Sequence, residues 1–305
     1  MEKILILKDE SVDWERFYST HMKRSRIDVK RIYNTNGTLS DFICHVFMHF
    51  DLPGYSLFFE KWKKELKNYT TIIIFDRLYS QNIIKFIHKA NPQARIVFWY
   101  WNLIEVDSRK PQYRNLAEYW TFDAGDEKKY NLMKNHQFYF NNIENQLEMK
   151  ESDVFFVGAD KGRYKKLKTL QDKLKSKGYK TKFFIIKDKT SEKKGEYAEF
   201  MSYEEVMKYI KGTKCIVDYY QEKQTGLTLR TLEAIFFNKK VITNNKKIKK
   251  YCFYKSDRFL LIPEEINRID SFIRDDISDY TKEEQFQFSY ESWLECFNID
   301  WRDME

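Results

Sequence analysis

Apolar residues come in short blocks along the first 140 positions, with amphipathic stretches between them. The blocks ILIL, IDVKRIY, TIIIF, RIVFWYW and YWTF read as strands, buried on both faces where the apolar run is continuous. Between them, SDFICHVFMHF, YSLFFEKWKKELKNY and QNIIKFIHKA carry the helical repeat. Strand and helix in alternation predict parallel βαβ units with helices on both sides of a sheet.

The segment NNIENQLEMKESD, residues 141–153, has almost no strand signal and is rich in amides and acids, so the linker is placed there. After it the pattern restarts. DVFFVG is a strand, and a helix follows in which Tyr164, Leu167, Leu170 and Leu174 share one face and Gly178 is the stop. KTKFFII is the next strand. Ser202 and Glu205 have capping-box spacing ahead of EVMKYI, and Gly212 ends that helix before the strand KCIVDY. KVITN is a further strand. PEEINRIDSFIRD and EEQFQFSYESWLECFNI, the latter with a Thr281–Glu284 capping box, read as two closing helices. The expected division is a domain over 1–145, a second over 153–262, and closing helices over 263–305 that pack back across the junction. A crevice between two such sheets is a natural ligand site.

Composition agrees with two folded domains. The chain has 305 residues, 42% hydrophobic and 17% aromatic, far from a disordered composition. MEKILILKDE is too short in its apolar core and too acidic in its flanks for a signal peptide, and no window reaches the ~18 apolar residues of a membrane span. Cys44, Cys215, Cys252 and Cys296 are scattered, without metal-cluster or disulfide-framework spacing. The cytoplasm is the expected location. The net charge of +8 is concentrated in KSKGYKTKFFIIKDKTSEKK and NKKVITNNKKIKKY. Such faces attract nucleic acid, anionic lipid or a phosphorylated substrate, or are simply solvated.

The most informative stretch is DYYQEKQTGLTLRTLEAIFFNKKVITNN, residues 218–245. Its loop lies at the carboxyl end of a strand, where open α/β sheets bind ligands. A helix beginning near Gly226 or Leu227 would offer unpaired N–H groups from Gly226 to Thr228 to a diphosphate. Gly226, Arg230 and Glu233 fall on one face. Arg230 can clamp phosphate, and Glu233 can accept hydrogen bonds from ribose hydroxyls. An ordinary i, i+3 ion pair on a solvated face is the alternative.

GLTLRTLEAIFFNKKVIT resembles the donor-site segment of GT-B fold glycosyltransferases. The resemblance implies two Rossmann-like α/β domains facing an interdomain cleft, with Glu233 on the ribose of a nucleotide-sugar. Retaining members have an earlier glutamate eight residues before it; Thr225 stands there, in the donor loop, so the stereochemical course is left open. Similar enzymes meet the diphosphate with a glycine and basic residues after the first strand of the second domain, which here are Gly158, Lys161 and Arg163.

The first domain would then hold the acceptor. Asp76 closes TIIIFD at a strand's carboxyl end, as a general base or as a turn-forming aspartate. Asp41, His45 and His49 form an i, i+4, i+8 stripe, a solvated or acceptor-facing edge without a further metal ligand in view. Asn102 and Asp123 follow the aromatic strand ends FWYW and YWTF and are the other acceptor-side candidates. No Asp-x-Asp triplet occurs, so neither a metal nor any other cofactor is expected, and helix dipoles and cationic side chains must meet the diphosphate. The expected activity is transfer of a sugar from a nucleotide diphosphate sugar to a glycan or lipid-linked acceptor, as in bacterial surface-polysaccharide assembly. The lysine faces would hold the enzyme at the inner face of the plasma membrane. The rival classes are a basic nucleic-acid-binding protein, for which no recognition signature is found, and a nucleotide-binding protein without turnover.

Overall fold

Unbroken β-branched and aromatic runs become central parallel strands because a strand covered on both faces has no place for a polar side chain. The computed structural model of the protein describes residues 2–10, 12–35, 37–77, 81–104, 109–141, 143, 148–220 and 226–304. The chain divides into two compact units, Met1–His136 with Trp293–Glu305, and Gln137–Ser292. Each is α/β.

In unit 1, β1 (Ile4–Lys8), β2 (Ile27–Arg31), β3 (Thr71–Phe75), β4 (Arg95–Tyr100), β5 (Glu118–Thr121) and β6 (Met133–Lys134) pair in the order β2-β1-β3-β4-β5-β6, all parallel. Every residue of β1 and β3 is buried. The helices are α1 (Asp13–Met22), α2 (Thr38–His49), α3 (Asn82–Ala90) and α4 (Ala124–Tyr130).

In unit 2, β7 (Ser152–Ala159), β8 (Thr181–Ile186), β9 (Thr213–Asp218), β10 (Lys240–Thr243) and β11 (Phe259–Leu261) pair in the order β11-β10-β9-β7-β8, again all parallel. Around them lie α5 (Tyr164–Ser176), α6 (Tyr203–Gly212), α7 (Leu229–Phe236), α8 (Ile269–Arg274) and α9 (Lys282–Phe286), and α10 (Tyr290–Cys296) runs through the division. In each sheet the first strand lies between the second and the third. Such a point, where connections leave in opposite directions, is where open α/β sheets bind ligands, at the strands' carboxyl ends.

Three expectations differ from the structure. The stretch from Tyr55 to Tyr69 is not one helix but three 3-10 turns, Tyr55–Phe58, Lys61–Lys64 and Leu66–Asn68. The backbone between the first two is extended because Asn34 N–H donates to the Phe58 carbonyl at 2.9 Å and Glu60 N–H to the Ile32 carbonyl at 3.2 Å. The aromatic C-terminal stretch is likewise two helices, α9 and α10. Tyr139 N–H donates to the Phe288 carbonyl at 2.8 Å, and Tyr290 N–H to the Tyr139 carbonyl at 2.9 Å, which pulls residues 288–290 out of helical register. The same bonds, with buried Phe138, Tyr139 and Phe140, place the division at 136/137 rather than within 141–153.

The chain returns to unit 1 through Trp293. Its ring is fully buried against Phe75, Trp99 and Phe297 at centroid separations of 5.7, 5.8 and 4.7 Å, and Asn135 Nδ2 donates to its carbonyl at 3.0 Å. Trp293→Ala leaves a cavity under the sheet, and urea unfolding is expected to show a loss of about 3–5 kcal/mol.

Candidate functional site

The site is built where β9 meets α7. Cys215, Ile216 and Val217 fill the sheet core, and the strand ends on Asp218, a buried carboxylate. Its Oδ2 accepts from Thr228 Oγ1 at 2.5 Å and from Thr231 Oγ1 at 2.6 Å. Thr228 is the N-cap of α7, accepting from Thr231 N–H at 3.3 Å, so the helix starts at Leu229, later than expected. Burial pushes the Asp218 carboxyl above its ordinary range, while the two threonine bonds and the charges of Arg163 and Arg230 pull it back.

One turn into α7 lies Glu233, with no exposed surface. Tyr203 Oη donates to its Oε1 at 2.7 Å, and Arg230 Nη1 stands 2.5 Å from its Oε2. That ion pair lacks hydrogen-bond geometry. Burial raises the Glu233 carboxyl to about 7; Arg230 and Tyr203 favour the charged form, and Asp218 disfavours it. Arg230 and Glu233 therefore do share a face, as their spacing predicts, with Arg230 half-buried and Glu233 fully buried. The carboxylate is in contact with protein groups rather than open.

Across the switch point, Arg163 braces β7 to β9. Its guanidinium donates to the Ala159 carbonyl at 3.1 Å and to the Tyr219 carbonyl, with its charge over the Phe156 ring. Gly158 makes room for this, since a Cβ there would lie 3.1 Å from Arg163 Nη2. Lys161 is exposed, in the left-handed region at φ 50°, with its N–H donated to Asp188 Oδ2 at 2.8 Å. Asp160 accepts Tyr164 N–H at 2.8 Å at the start of α5.

At the expected anion site one amide has a different role. The Thr228 N–H is not unpaired, since it donates to Tyr220 Oη at 3.2 Å. Gly226 is buried beside it, and Thr225 lies outside the described residues. Asp218, Thr231 and Tyr203 complete the cluster and were not singled out from sequence. The capping box placed Ser202 but said nothing of where the adjacent Tyr203 points.

Among the acceptor-side candidates, Asp76, Asn102 and Asp123 follow the carboxyl ends of the neighbouring strands β3, β4 and β5, whereas His45 and His49 are on α2. Asp76 is buried and paired with the Arg109 guanidinium. Asp123 caps α4, accepting Gly125 N–H at 2.8 Å and Asp126 N–H at 3.1 Å, which explains its position without an acceptor. Asn102 is exposed after β4, and His45 and His49 lie on α2, His49 exposed with its ring against Phe50. Among the described residues no group of three or more His, Cys, Asp or Glu is placed to hold a metal ion. A further charge at a strand's carboxyl end is Lys8, which closes β1. Its ammonium donates to the carbonyls of Asp9 and Glu15, and burial pushes its pKa down to about 8.

The chain has the α/β GT-B fold. It is similar to a lipopolysaccharide outer core galactosyltransferase, WaaB, in its apo form, with a TM-score of 0.54 at 13% identity over 98% of this chain and 98% of that one. A Listeria monocytogenes structure described as a UDP-N-acetylglucosamine 2-epimerase aligns at a TM-score of 0.48 and 7% identity, over 97% of this chain and 94% of that one; at that score the likeness adds nothing to the fold assignment. No protein-family model matches the sequence. No curated protein matches it either.

The folded protein holds the Glu233 proton to a higher pH than the unfolded chain does. The associated stability is full below about 4.5 and is lost as pH rises through about 7, a change of roughly 3 kcal/mol. Glu233→Gln cannot ionise. Denaturant unfolding from pH 4.5 to 8 is expected to show the variant gaining on the wild type by about that amount.

Proposed function

We propose that the protein is a glycosyltransferase that moves a sugar from a nucleotide diphosphate sugar to a glycan or lipid-linked acceptor in surface-polysaccharide or glycoconjugate assembly, without a metal. The observation that carries this reading is Glu233, a fully buried carboxylate on the helix after β9 of a GT-B fold, facing Arg230 across an ion pair without hydrogen-bond geometry. A nucleoside diphosphate would split that pair. Its phosphates draw Arg230 away, and its ribose hydroxyls donate to the Glu233 oxygen that Arg230 leaves. Lys161 and the start of α7 add positive potential for the leaving diphosphate, and Arg163 holds the two strand ends in place.

A specific observation favours a second reading. The described amides of Thr228, Lys161 and Tyr164 already donate within the protein, as a brace with no nucleotide duty would. A thermal-shift panel of UDP-, GDP- and CMP-sugars on the wild type and Glu233→Ala separates the two. The donor reading expects one nucleotide-sugar to stabilise the wild type, with affinity lost by about tenfold or more in the variant. Equal shifts in both proteins remove Glu233 from the site, and the absence of any shift favours the brace.

The reading includes a place at an anionic membrane surface. Among the described residues no helix is long and apolar enough to cross a membrane. Yet α2 and the turns after it expose Leu39 (71%), Phe42 (64%), Phe50 (65%) and Leu57 (72%). Lys63 reaches the Ser56 carbonyl next to Leu57, and Lys85 pairs with Asp51 next to Phe50, so cations flank the apolar stripe. Such a face suits shallow insertion among acidic headgroups. Cosedimentation with vesicles of phosphatidylglycerol and phosphatidylethanolamine is expected to fall severalfold in a Leu39→Ser, Phe42→Ser variant, and to fall with salt in the wild type.

A further inference from the structure

The tyrosine that holds Glu233 is itself held by a second tyrosine. Tyr203 opens α6 and spends its one hydroxyl proton on Glu233 Oε1. The hydroxyl of Tyr139, 2.7 Å away, therefore donates to the Tyr203 oxygen when Glu233 is charged. Tyr139 is fully buried, its ring 5.4 Å from Phe236 and 6.1 Å from Phe237 at the end of α7. Its backbone bonds to Phe288 and Tyr290 tie together the stretches by which the chain enters and leaves unit 2.

We propose that Tyr203 and Tyr139 are positioning residues of the donor site: through the hydroxyl chain Tyr139–Tyr203–Glu233, the paired entry and exit segments of unit 2 set the orientation and charge of the carboxylate that receives the ribose. The inference rests on the donor reading of Glu233. A bond to Oε1 stops the carboxylate from rotating and leaves Oε2, the oxygen facing Arg230, for the ligand. The groups that face Glu233 are Arg230 from its own helix, Tyr203 from α6 with Tyr139 behind it, and Asp218 from β9. Arg230 and Tyr203 favour the charged form. Without the Tyr203 hydroxyl the carboxyl keeps its proton to higher pH.

The test uses Tyr203→Phe and Tyr139→Phe in the full chain. UDP, GDP and CMP binding is measured by calorimetry between pH 5.5 and 8.5, and the Glu233 titration is followed by carboxyl carbon NMR, assigned with Glu233→Gln. Wild-type affinity is expected to strengthen as pH rises through about 7. In Tyr203→Phe the midpoint moves up by about one pH unit and affinity at pH 7 falls about tenfold. Tyr139→Phe moves the midpoint the same way by less, and should it fail to fold, Tyr203→Phe alone decides. A wild-type midpoint in Tyr203→Phe, by both binding and NMR, overturns the inference and leaves the tyrosines as packing, whatever the loss in melting temperature. Failure of the donor reading looks different: no nucleotide binds the wild type at any pH, and the inference falls with it.

Discussion

The second unit is organised around the burial of charge at the start of α7. Taking a carboxylate out of water costs several kcal/mol unless opposite charge and hydrogen bonds replace the lost hydration. Glu233 obtains them from Arg230 and Tyr203, and Asp218 from Thr228, Thr231 and the nearby arginines. Thr228, Arg230 and Thr231 belong to the start of α7 itself, whereas Tyr203 opens α6 and Arg163 follows β7, so engaging the two carboxylates also ties α7 to β9 and to distant parts of the chain. The position of the helix is a consequence of this polar network as much as of the apolar packing of Leu232, Ala234 and Ile235.

A site of this kind does not wait as an empty pocket of donors. The Arg163 guanidinium and the Thr228 amide already donate within the protein, while Arg230 and Glu233 face each other as an ion pair without hydrogen-bond geometry. Unit 1 repeats the motif in outline. Lys8 and Asp76 are buried charges at the carboxyl ends of β1 and β3, each engaged by local carbonyls or by Arg109. In both units the switch point beside the first strand is where charge is buried.

Much of the fold was legible in the amino-acid pattern. Continuous apolar blocks marked β1, β3, β4, β7 and β9, because burial on both faces excludes polar side chains over a whole strand. Ser202 and Thr281 were found by their spacing to Glu205 and Glu284, and both side chains accept the expected amide bond. The failures came where a distant strand competes for the backbone. Residues 58–60 and 288–290 carry helical spacing, yet they bond to residues 32–34 and to Tyr139, partners no local window contains.

The same division holds at the site. Sequence alone determined that Gly226, Arg230 and Glu233 lie on or beside one helix after a strand, since helical periodicity is a local property and a strand followed by a polar loop can be read directly. Only the tertiary structure decided that Glu233 is buried, that Asp218 and Thr228 close the helix start on each other, and that two tyrosines from distant segments stand behind the carboxylate. Burial and hydrogen-bond partnership depend on which remote groups the fold brings within 3 Å, and no spacing along the chain encodes that distance.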